Sequence, residues 1–259
     1  MKNLIKASIL GIFYFLILTS CENEELILSF DSVRIKTIIR SSQENTETTT
    51  TYEYNEYNLI TKGVNTGGGY FTNEYDSSNR LIQSNSYNSH GLYNYFTFQY
   101  DSNSITRIRF QYYPYSDSWG GDNEKSVYIY NSLNNCERID YYTKDENENW
   151  VKSIYYTLCF WNNNNLTEMK NYEGNNLDYI STYQYDNKYN PEKLLTQAIS
   201  PWTKSKNNPV KISTIYTDGR ESNISFSYKY NEYGYPIEKQ SHHDICDLSE
   251  TTKYEYEFK

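Results

Sequence analysis

Histidine is scarce in this sequence, which limits the metal chemistry that the chain can support. The 259 residues contain three histidines, and two of them stand in the segment His242-His243-Asp244-Ile245-Cys246-Asp247. Imidazole, carboxylate and thiolate are ligands that zinc prefers, so His242, His243, Asp244 and Cys246 are the residues to consider for a metal site. Adjacent side chains on a strand point to opposite faces, however, and no second cluster completes a coordination shell. We interpret the segment as a polar hairpin loop and predict no metal and no cofactor.

Recognisable catalytic motifs are also missing. No Gly-x-Ser-x-Gly nucleophile elbow occurs, and the run Gly67-Gly68-Gly69 lacks the Lys-Ser/Thr ending of a phosphate-binding loop. The 33 acidic residues are too numerous for spacing to single out a glycosidase pair. We therefore expect a protein that is not an enzyme, with an envelope polysaccharide hydrolase as the alternative.

Basic residues and prolines are few. The formal net charge is -9, and removal of Lys2 and Lys6 with a leader would take it to -11. This balance excludes nucleic acid as a partner, because phosphates require a basic footprint.

The chain contains five prolines and 17% aromatic residues, so we expect it to be ordered despite a mean hydropathy of -0.86.

The four cysteines include one, Cys21, at the end of an apolar N-terminal segment. The remaining three are an odd number for an oxidising compartment. If a hairpin turns near Asn147, Cys136 and Cys159 lie almost opposite each other. This geometry permits a disulfide and equally permits two buried thiols. With such a disulfide, Cys246 is unpaired.

Tyrosine, in contrast, is abundant, with 31 copies that fall into a recurring unit. The clearest copies are Tyr183-Gln184-Tyr185-Asp186 and Tyr228-Lys229-Tyr230-Asn231, and weaker ones begin at Tyr52, Phe98 and Tyr128. Side chains at i and i+2 of a strand share a face, and Asp or Asn then ends the strand. Because Leu, Val and Met are few, we expect these rings on the inner face, with their hydroxyls reaching polar partners.

The units predict the architecture. They recur about every 21–31 residues, which suits one two-stranded hairpin each. One interruption, Asn190-Pro191-Glu192, has the capping residue, proline and acid of a helix start. We predict a single all-β domain over residues 29–259, an antiparallel meander of hairpins curled into an open barrel or a sandwich. One short helix is expected near 191–199.

The first 20 residues have the features of a leader. Lys2 and Lys6 give a basic start, and Ile9 to Leu18 form an apolar core too short to span a membrane comfortably. The leader ends in Leu18-Thr19-Ser20-Cys21, which resembles the bacterial lipoprotein signal. The resemblance implies that Cys21 is lipidated, becomes the first mature residue and anchors the protein to a membrane. The alternative is a plain signal anchor in which Cys21 stands by chance.

The acidic run after the cysteine, Glu22-Asn23-Glu24-Glu25, is similar to the export signal of surface-exposed lipoproteins in some Gram-negative lineages. That resemblance implies an outer-membrane lipoprotein exposed at the cell surface. The same run also fits an ordinary solvated tether, which we place at residues 21–28.

The tyrosine units resemble the tyrosine–aspartate (YD, RHS-type) repeats of bacterial secreted proteins. The segment from Tyr183 to Pro236 looks more specifically like a group of uncharacterised bacterial lipoproteins. Most units lack the Gly-Arg-Leu that follows Asp in those repeats, and Asn79-Arg80-Leu81 is the nearest match. The resemblance implies an antiparallel β lipoprotein and supplies no activity.

Exposed aromatic side chains carry the remaining functional prediction. Tyr and Trp rings stack against sugars, and the four tryptophans, Trp119, Trp150, Trp161 and Trp202, all stand at or near expected loops. The alternative is that the tyrosines fill the core and the tryptophans cover loop edges. We predict a surface or periplasm-facing lipoprotein that binds a glycan or a partner protein.

Overall fold

The structure is a computed structural model that describes residues 33–42, 46–113, 118–119, 124–195 and 200–258. The predicted leader, the tether and Cys21 lie outside the described residues, as does the side chain of Trp119.

The described residues form β-strands over most of their length. The 17 strands are β1 (Val33–Ser42), β2 (Glu47–Tyr54), β3 (Ile60–Asn65), β4 (Tyr70–Tyr75), β5 (Leu81–Asn88), β6 (Gly91–Tyr100), β7 (Ser104–Tyr113), β8 (Ser118–Trp119), β9 (Glu124–Tyr130), β10 (Cys136–Lys144), β11 (Trp150–Asn162), β12 (Asn165–Glu173), β13 (Asn176–Tyr189), β14 (Asn207–Tyr216), β15 (Glu221–Tyr230), β16 (Pro236–His243) and β17 (Leu248–Phe258).

The strands form a closed 16-strand antiparallel barrel. The seventeenth strand, the short β8, is not part of the ring, since it pairs with the end of β7, and β7 pairs directly with β9. Closure comes from β1, which pairs with β2 and also with β17, from Val33↔Phe258 to Ser42↔Glu250. The predicted all-β meander is confirmed. The expected open barrel or sandwich is corrected to a closed ring, since pairing β1 with β17 removes the two unpaired edges that an open sheet would expose.

The recurring tyrosines all lie at one end of this barrel, which we call the tyrosine end. It is the end where β2, β4, β6, β9, β11, β13, β15 and β17 finish. Here a tyrosine hydroxyl donates to a main-chain carbonyl near the start of the preceding or neighbouring strand. These bonds of 2.5 to 2.8 Å join Tyr54 to Ile35, Tyr75 to Ile60, Tyr100 to Leu81, Tyr185 to Leu166, Tyr228 to Pro209 and Tyr256 to Pro236. The repeat therefore satisfies carbonyls that would otherwise lose water at the rim.

The Asp or Asn that follows each tyrosine builds the turn. The side-chain oxygen of Asn55 accepts from the amides of Tyr57 and Leu59, and Asn231 does the same with Tyr233 and Tyr235. The residue three positions after the Asp or Asn has a positive φ, at Asn58, Asn79, Asn134 and Gly234. Asn and Gly tolerate this conformation best, which explains their recurrence in the motif.

The tyrosines of the two clearest units behave as predicted. Tyr183 donates to Met169 Sδ at 3.1 Å, and the Tyr230 hydroxyl donates to Asp186 Oδ2. Gln184 and Lys229, one residue away, are exposed. The rings thus face inward, and Tyr183 packs against an apolar cluster around Ile139, Cys159, Leu166 and Met169. A second apolar cluster lies around Ile35, Ile38 and Tyr254.

The predicted helix begins where expected. Helix α1 (Glu192–Leu195) is capped by Asn190, whose Oδ1 accepts from the Glu192 amide at 3.0 Å. Leu194 and Leu195 pack against the cluster of Ile35, Ile38 and Tyr254. Residues 196–199 lie outside the described part of the chain, so the predicted C-terminal half is not described. A 3-10 helix (Pro201–Lys204) follows, which the sequence analysis did not predict.

Candidate functional site

The connection between β13 and β14 is a long one at the tyrosine end, and we call it the crossover segment (residues 190–206, described for 190–195 and 200–206). Polar side chains fix both of its ends. Asn190 Nδ2 donates to the Ser205 carbonyl at 3.1 Å, and the buried Ser205 hydroxyl contacts the Tyr185 hydroxyl at 2.9 Å. The Leu166 amide donates to the same Ser205 oxygen. The crossover segment is therefore fixed against the inner wall of the barrel.

Beneath the crossover segment lies a cavity of about 410 Å³, which we call the inner cavity. Its apolar lining consists of Met169, Tyr179, Tyr183, Tyr185, Trp202, Pro209, Ile212 and Phe226. Its polar lining consists of Asn171, Ser181, Asn190, Glu192 and Lys239. These residues come from five neighbouring strands, β12 to β16, and from the crossover segment, so the cavity forms where that segment lies over the inner face of these strands.

Asn171 offers a hydrogen-bond donor at this cavity. Its Oδ1 accepts from the Thr157 hydroxyl at 2.6 Å, which fixes the orientation of the amide. Its Nδ2 is buried and has no hydrogen-bond partner within the part of the chain that the structure describes. A buried donor without a partner costs free energy, about 1–3 kcal/mol. A ligand oxygen in the cavity would remove that cost.

An ion pair lies on the opposite side of the cavity. Lys239 Nζ of β16 is 3.1 Å from Glu192 Oε1 at the start of α1. Burial by itself disfavours the charged ammonium, but the Tyr254 hydroxyl and the Glu192 carboxylate outweigh it, and the pKa of Lys239 is raised. The pair therefore presents a fixed donor and a fixed acceptor to the cavity, and it attaches α1 to the wall.

The structure separates the four tryptophans that the sequence analysis grouped. Trp202, which is 47% exposed, lines the inner cavity. Trp161 is part-buried, and its Nε1 donates to the Cys136 carbonyl at 2.7 Å, so it occupies in β11 the place that tyrosine holds in other strands. Trp150 lies at the start of β11, at the other end of the barrel, under Lys144 Nζ at 5.8 Å. Trp119 stands in β8.

The weak metal candidates are not brought together. Asp244 accepts from the main-chain amide and the side-chain amide of Asn223, and Cys246 is exposed in the turn after β16. His242 Nδ1 contacts the Ser249 hydroxyl at 3.2 Å. Among the described residues, no group of three or more His, Cys, Asp or Glu side chains converges on a point that could hold a metal ion.

The cysteines of the β10–β11 hairpin are near one another, as the turn at Asp145–Asn149 requires. Cys136 and Cys159 are both buried and free, and the Cys136 thiol donates to the Arg138 carbonyl at 3.4 Å. The neighbouring Cys159 thiol lowers the pKa of Cys136, whereas the interaction with Cys136, followed by burial, raises the pKa of Cys159. Of the two alternatives that the sequence left open, the structure contains two buried thiols.

Several cavity residues were not found from the sequence. Asn171, Ser181 and Lys239 are polar residues in strands β12, β13 and β16 whose side chains line the inner cavity. Ser181, for example, lies between Tyr179 and Tyr183. A polar residue between two aromatic residues in the inward phase of a strand is the signal that could have identified Ser181.

No helix in the described ranges has both the length and the apolar character needed to cross a membrane.

Comparison with solved structures finds bacterial proteins described as porin-like or as an outer-membrane lipoprotein-sorting domain. A porin-like protein from Bacteroides vulgatus is similar with a TM-score of 0.49 at 10% identity, over 87% of this chain and 99% of that one. A porin-like protein from Bacteroides uniformis has a TM-score of 0.39 at 11% identity, over 86% and 96%. A putative outer membrane lipoprotein-sorting protein domain from Vibrio parahaemolyticus has a TM-score of 0.25 at 8% identity, over 88% and 85%.

No protein-family model matches the sequence, and neither does any curated protein.

Proposed function

We propose that this protein is a non-enzymatic binding module of the bacterial envelope that holds a small carbohydrate in the inner cavity. The observation that carries the proposal is the lining of that cavity, in which aromatic rings stand beside fixed donors and acceptors. Trp202 and Tyr179 supply rings, while Asn171, Glu192 and Lys239 supply polar groups. A volume of about 410 Å³ lies in the usual range of small-molecule sites.

The chemistry of a sugar fits this lining. The C–H face of a pyranose is apolar and packs on an aromatic ring, whereas its hydroxyls require both donors and acceptors. Asn171 Nδ2 provides an unsatisfied donor, and the Lys239–Glu192 pair provides one group of each kind. A purely apolar ligand would leave these groups unpaired, which costs binding free energy.

The charged outer surface of the barrel supports the proposal that the barrel wall is in contact with water. Charged side chains alternate along β17 at Lys253, Glu255 and Glu257, and Glu257 pairs with Arg34 of β1 at 2.8 Å. Lys229 pairs with Glu238 on the same face at 2.9 Å. Such a surface is solvated by water, which suits a module attached through a lipid rather than through its wall.

The polysaccharide hydrolase remains the second candidate, and the cavity favours it less. Glycoside hydrolysis requires two carboxyl groups about 5–9.5 Å apart. Glu192 is the one carboxylate among the described residues that line the inner cavity, and it is paired with Lys239. Binding without turnover therefore fits the lining better than catalysis.

Replacement of Trp202 by alanine should weaken carbohydrate binding at least tenfold, because the exposed ring covers the cavity. The experiment screens the soluble domain, residues 29–259, against a glycan panel and then measures Kd for the best ligand by calorimetry. Trp150→Ala, at the other end of the barrel, is the matched control and should bind like the parent. Absence of any panel ligand, equal loss in both variants, or release of shortened product would contradict the proposal.

The attachment to the membrane is a separate part of the proposal, because it depends on the leader and its cysteine. Cys21→Ser should release the protein into the soluble fraction and abolish labelling by fatty-acid analogues. Fractionation of cells that express either form measures both effects. Unchanged membrane retention of the serine variant, without fatty-acid label in the parent, would contradict a lipid anchor.

A further inference from the structure

A second concave site lies at the tyrosine end, where other residues of the crossover segment contribute to its lining. We call it the rim groove. It has a volume of about 620 Å³ and lies between the turns that follow β4, β6, β9 and β11 and the crossover segment. The lining shares no residue with that of the inner cavity, so the two are separate sites.

The rim groove is positively charged, although the chain as a whole is acidic. Arg80, Lys193 and Lys204 line it, and Asp101 is the one carboxylate among its described lining residues. The formal charge of the whole chain is -9. Lys193 and Lys204 on one concave surface therefore make a local exception to the acidic character of the chain, and their charge concentrates anions there.

The two lysines are placed so that they repel each other and are partly removed from water. Lys204 is half-buried, and its Nζ lies 4.3 Å from the centre of the Tyr130 ring. Burial lowers the pKa of Lys204, and the nearby Lys193 lowers it further although the Cys136 thiol acts in the opposite sense. Burial is the largest cause that lowers the pKa of Lys193, and the positive charge of Lys206 lowers it further. An anion between these ammonium groups would favour their charged forms.

Arg80 closes the other side of the groove in a fixed orientation. Its guanidinium is held by Asp76 at 2.7 Å and lies over the Tyr100 ring at 4.7 Å. Because Asp76 neutralises much of its charge, Arg80 positions rather than attracts a ligand, and the attraction comes from Lys193 and Lys204.

The groove is also lined by amides. Asn79, Asn103, Asn134 and Asn164 all contribute to its surface. A primary amide both donates and accepts, which matches the hydroxyl groups of a sugar. A bare inorganic anion would use the lysines and leave the amides without ligand partners.

We propose that the rim groove binds a sugar that carries a carboxylate, with the acid between Lys193 and Lys204 and the hydroxyls toward the asparagines. This site goes beyond the proposed function, since it is separate from the inner cavity and recognises charge. The two proposals can therefore fail independently.

Isothermal titration calorimetry with glucuronate, glucose and inorganic phosphate tests the proposal on the soluble domain. Saturable glucuronate binding is expected, with glucose and phosphate each at least tenfold weaker. Lys193→Gln/Lys204→Gln, which keeps the side-chain stems, should weaken glucuronate binding by about tenfold or more because charged hydrogen bonds are lost. The matched control is Lys36→Gln, an exposed lysine of β1. Circular dichroism and thermal melting establish that each variant is folded.

Four results would overturn the proposal. The first is the absence of saturable glucuronate binding, and the second is equal binding by the double variant and the parent. The third is phosphate affinity equal to that of glucuronate, which would make the groove a simple anion site. The fourth is loss of glucuronate binding in Trp202→Ala, which would place the ligand in the inner cavity. Retained binding in Trp202→Ala supports the proposal even if neutral glycans never bind.

Discussion

Replacement of Tyr185 by alanine is expected to lower the free energy of unfolding by about 3–5 kcal/mol. The ring lies on the inner face next to the inner cavity, and its hydroxyl holds both the Leu166 carbonyl at 2.6 Å and the Ser205 hydroxyl at 2.9 Å. The substitution therefore removes aromatic burial and one of the contacts that fix the crossover segment. Domains are typically stable by about 5–15 kcal/mol, so the melting temperature should fall strongly.

Two further variants separate the contributions of the ring and the hydroxyl to the loss of stability. Tyr185→Phe keeps the ring but leaves the Leu166 carbonyl without its donor, and should cost about 1–3 kcal/mol. Gln184→Ala, on the exposed face of the same strand, should melt within a degree or two of the parent. Chemical denaturation measures all three. If Tyr185→Ala is as stable as Gln184→Ala, the rings are not structural and the inward orientation of the repeat is wrong.

Alkaline pH should unfold the protein cooperatively, because many tyrosines are buried as neutral phenols. Burial is the first cause that raises the pKa of Tyr75, Tyr128 and Tyr185, each to about 12 from an ordinary value of 10.0. The same cause raises the pKa of Tyr54, Tyr228 and Tyr256. In the unfolded chain these groups ionise near their ordinary value, so unfolding becomes coupled to proton release.

The direction of this pH dependence follows from the linkage between tyrosine ionisation and unfolding. A pKa that is higher in the folded state contributes stability that is fully present below about pH 10 and is lost as pH rises toward 12 and beyond. Since a pKa difference of one corresponds to about 1.4 kcal/mol, Tyr128 alone contributes roughly 2–3 kcal/mol. Absorbance at 295 nm should rise in a steep step that coincides with the loss of β-sheet circular dichroism. The control is the same titration in 8 M urea, where the unfolded chain should give a smooth curve centred near pH 10. A smooth curve for the folded protein would contradict the burial of the tyrosine hydroxyls.

The sequence predicted the fold class for a physical reason that the structure makes visible. Two aromatics at i and i+2 followed by Asp or Asn encode a strand end, an inner face and a turn within a few residues. All three are local properties, so Tyr185, Tyr230 and the Asn190 cap behaved as expected. Trp161 differed from its prediction as a ligand-binding tryptophan, because its indole N–H donates to the Cys136 carbonyl as the tyrosine hydroxyls do in other strands.

Closure and the candidate site could not be predicted in the same way, because both depend on contacts between residues far apart in the chain. The pairing of Val33 with Phe258 spans almost the whole domain. The inner cavity collects Asn171, Trp202 and Lys239 from β12, the crossover segment and β16. Each is ordinary in its own segment, and only the ring of strands brings them together.

The most direct measurement of the central claim, a carbohydrate site under Trp202, is fluorine NMR of protein labelled with 5-fluorotryptophan. The chain has four tryptophans, so four resonances are expected and Trp→Phe variants assign them. Titration with the best glycan from the panel should shift or broaden the Trp202 resonance and leave those of Trp150 and Trp161 in place. A shift confined to Trp119 or Trp150, at the other end of the barrel, or no shift at saturation, would contradict the account.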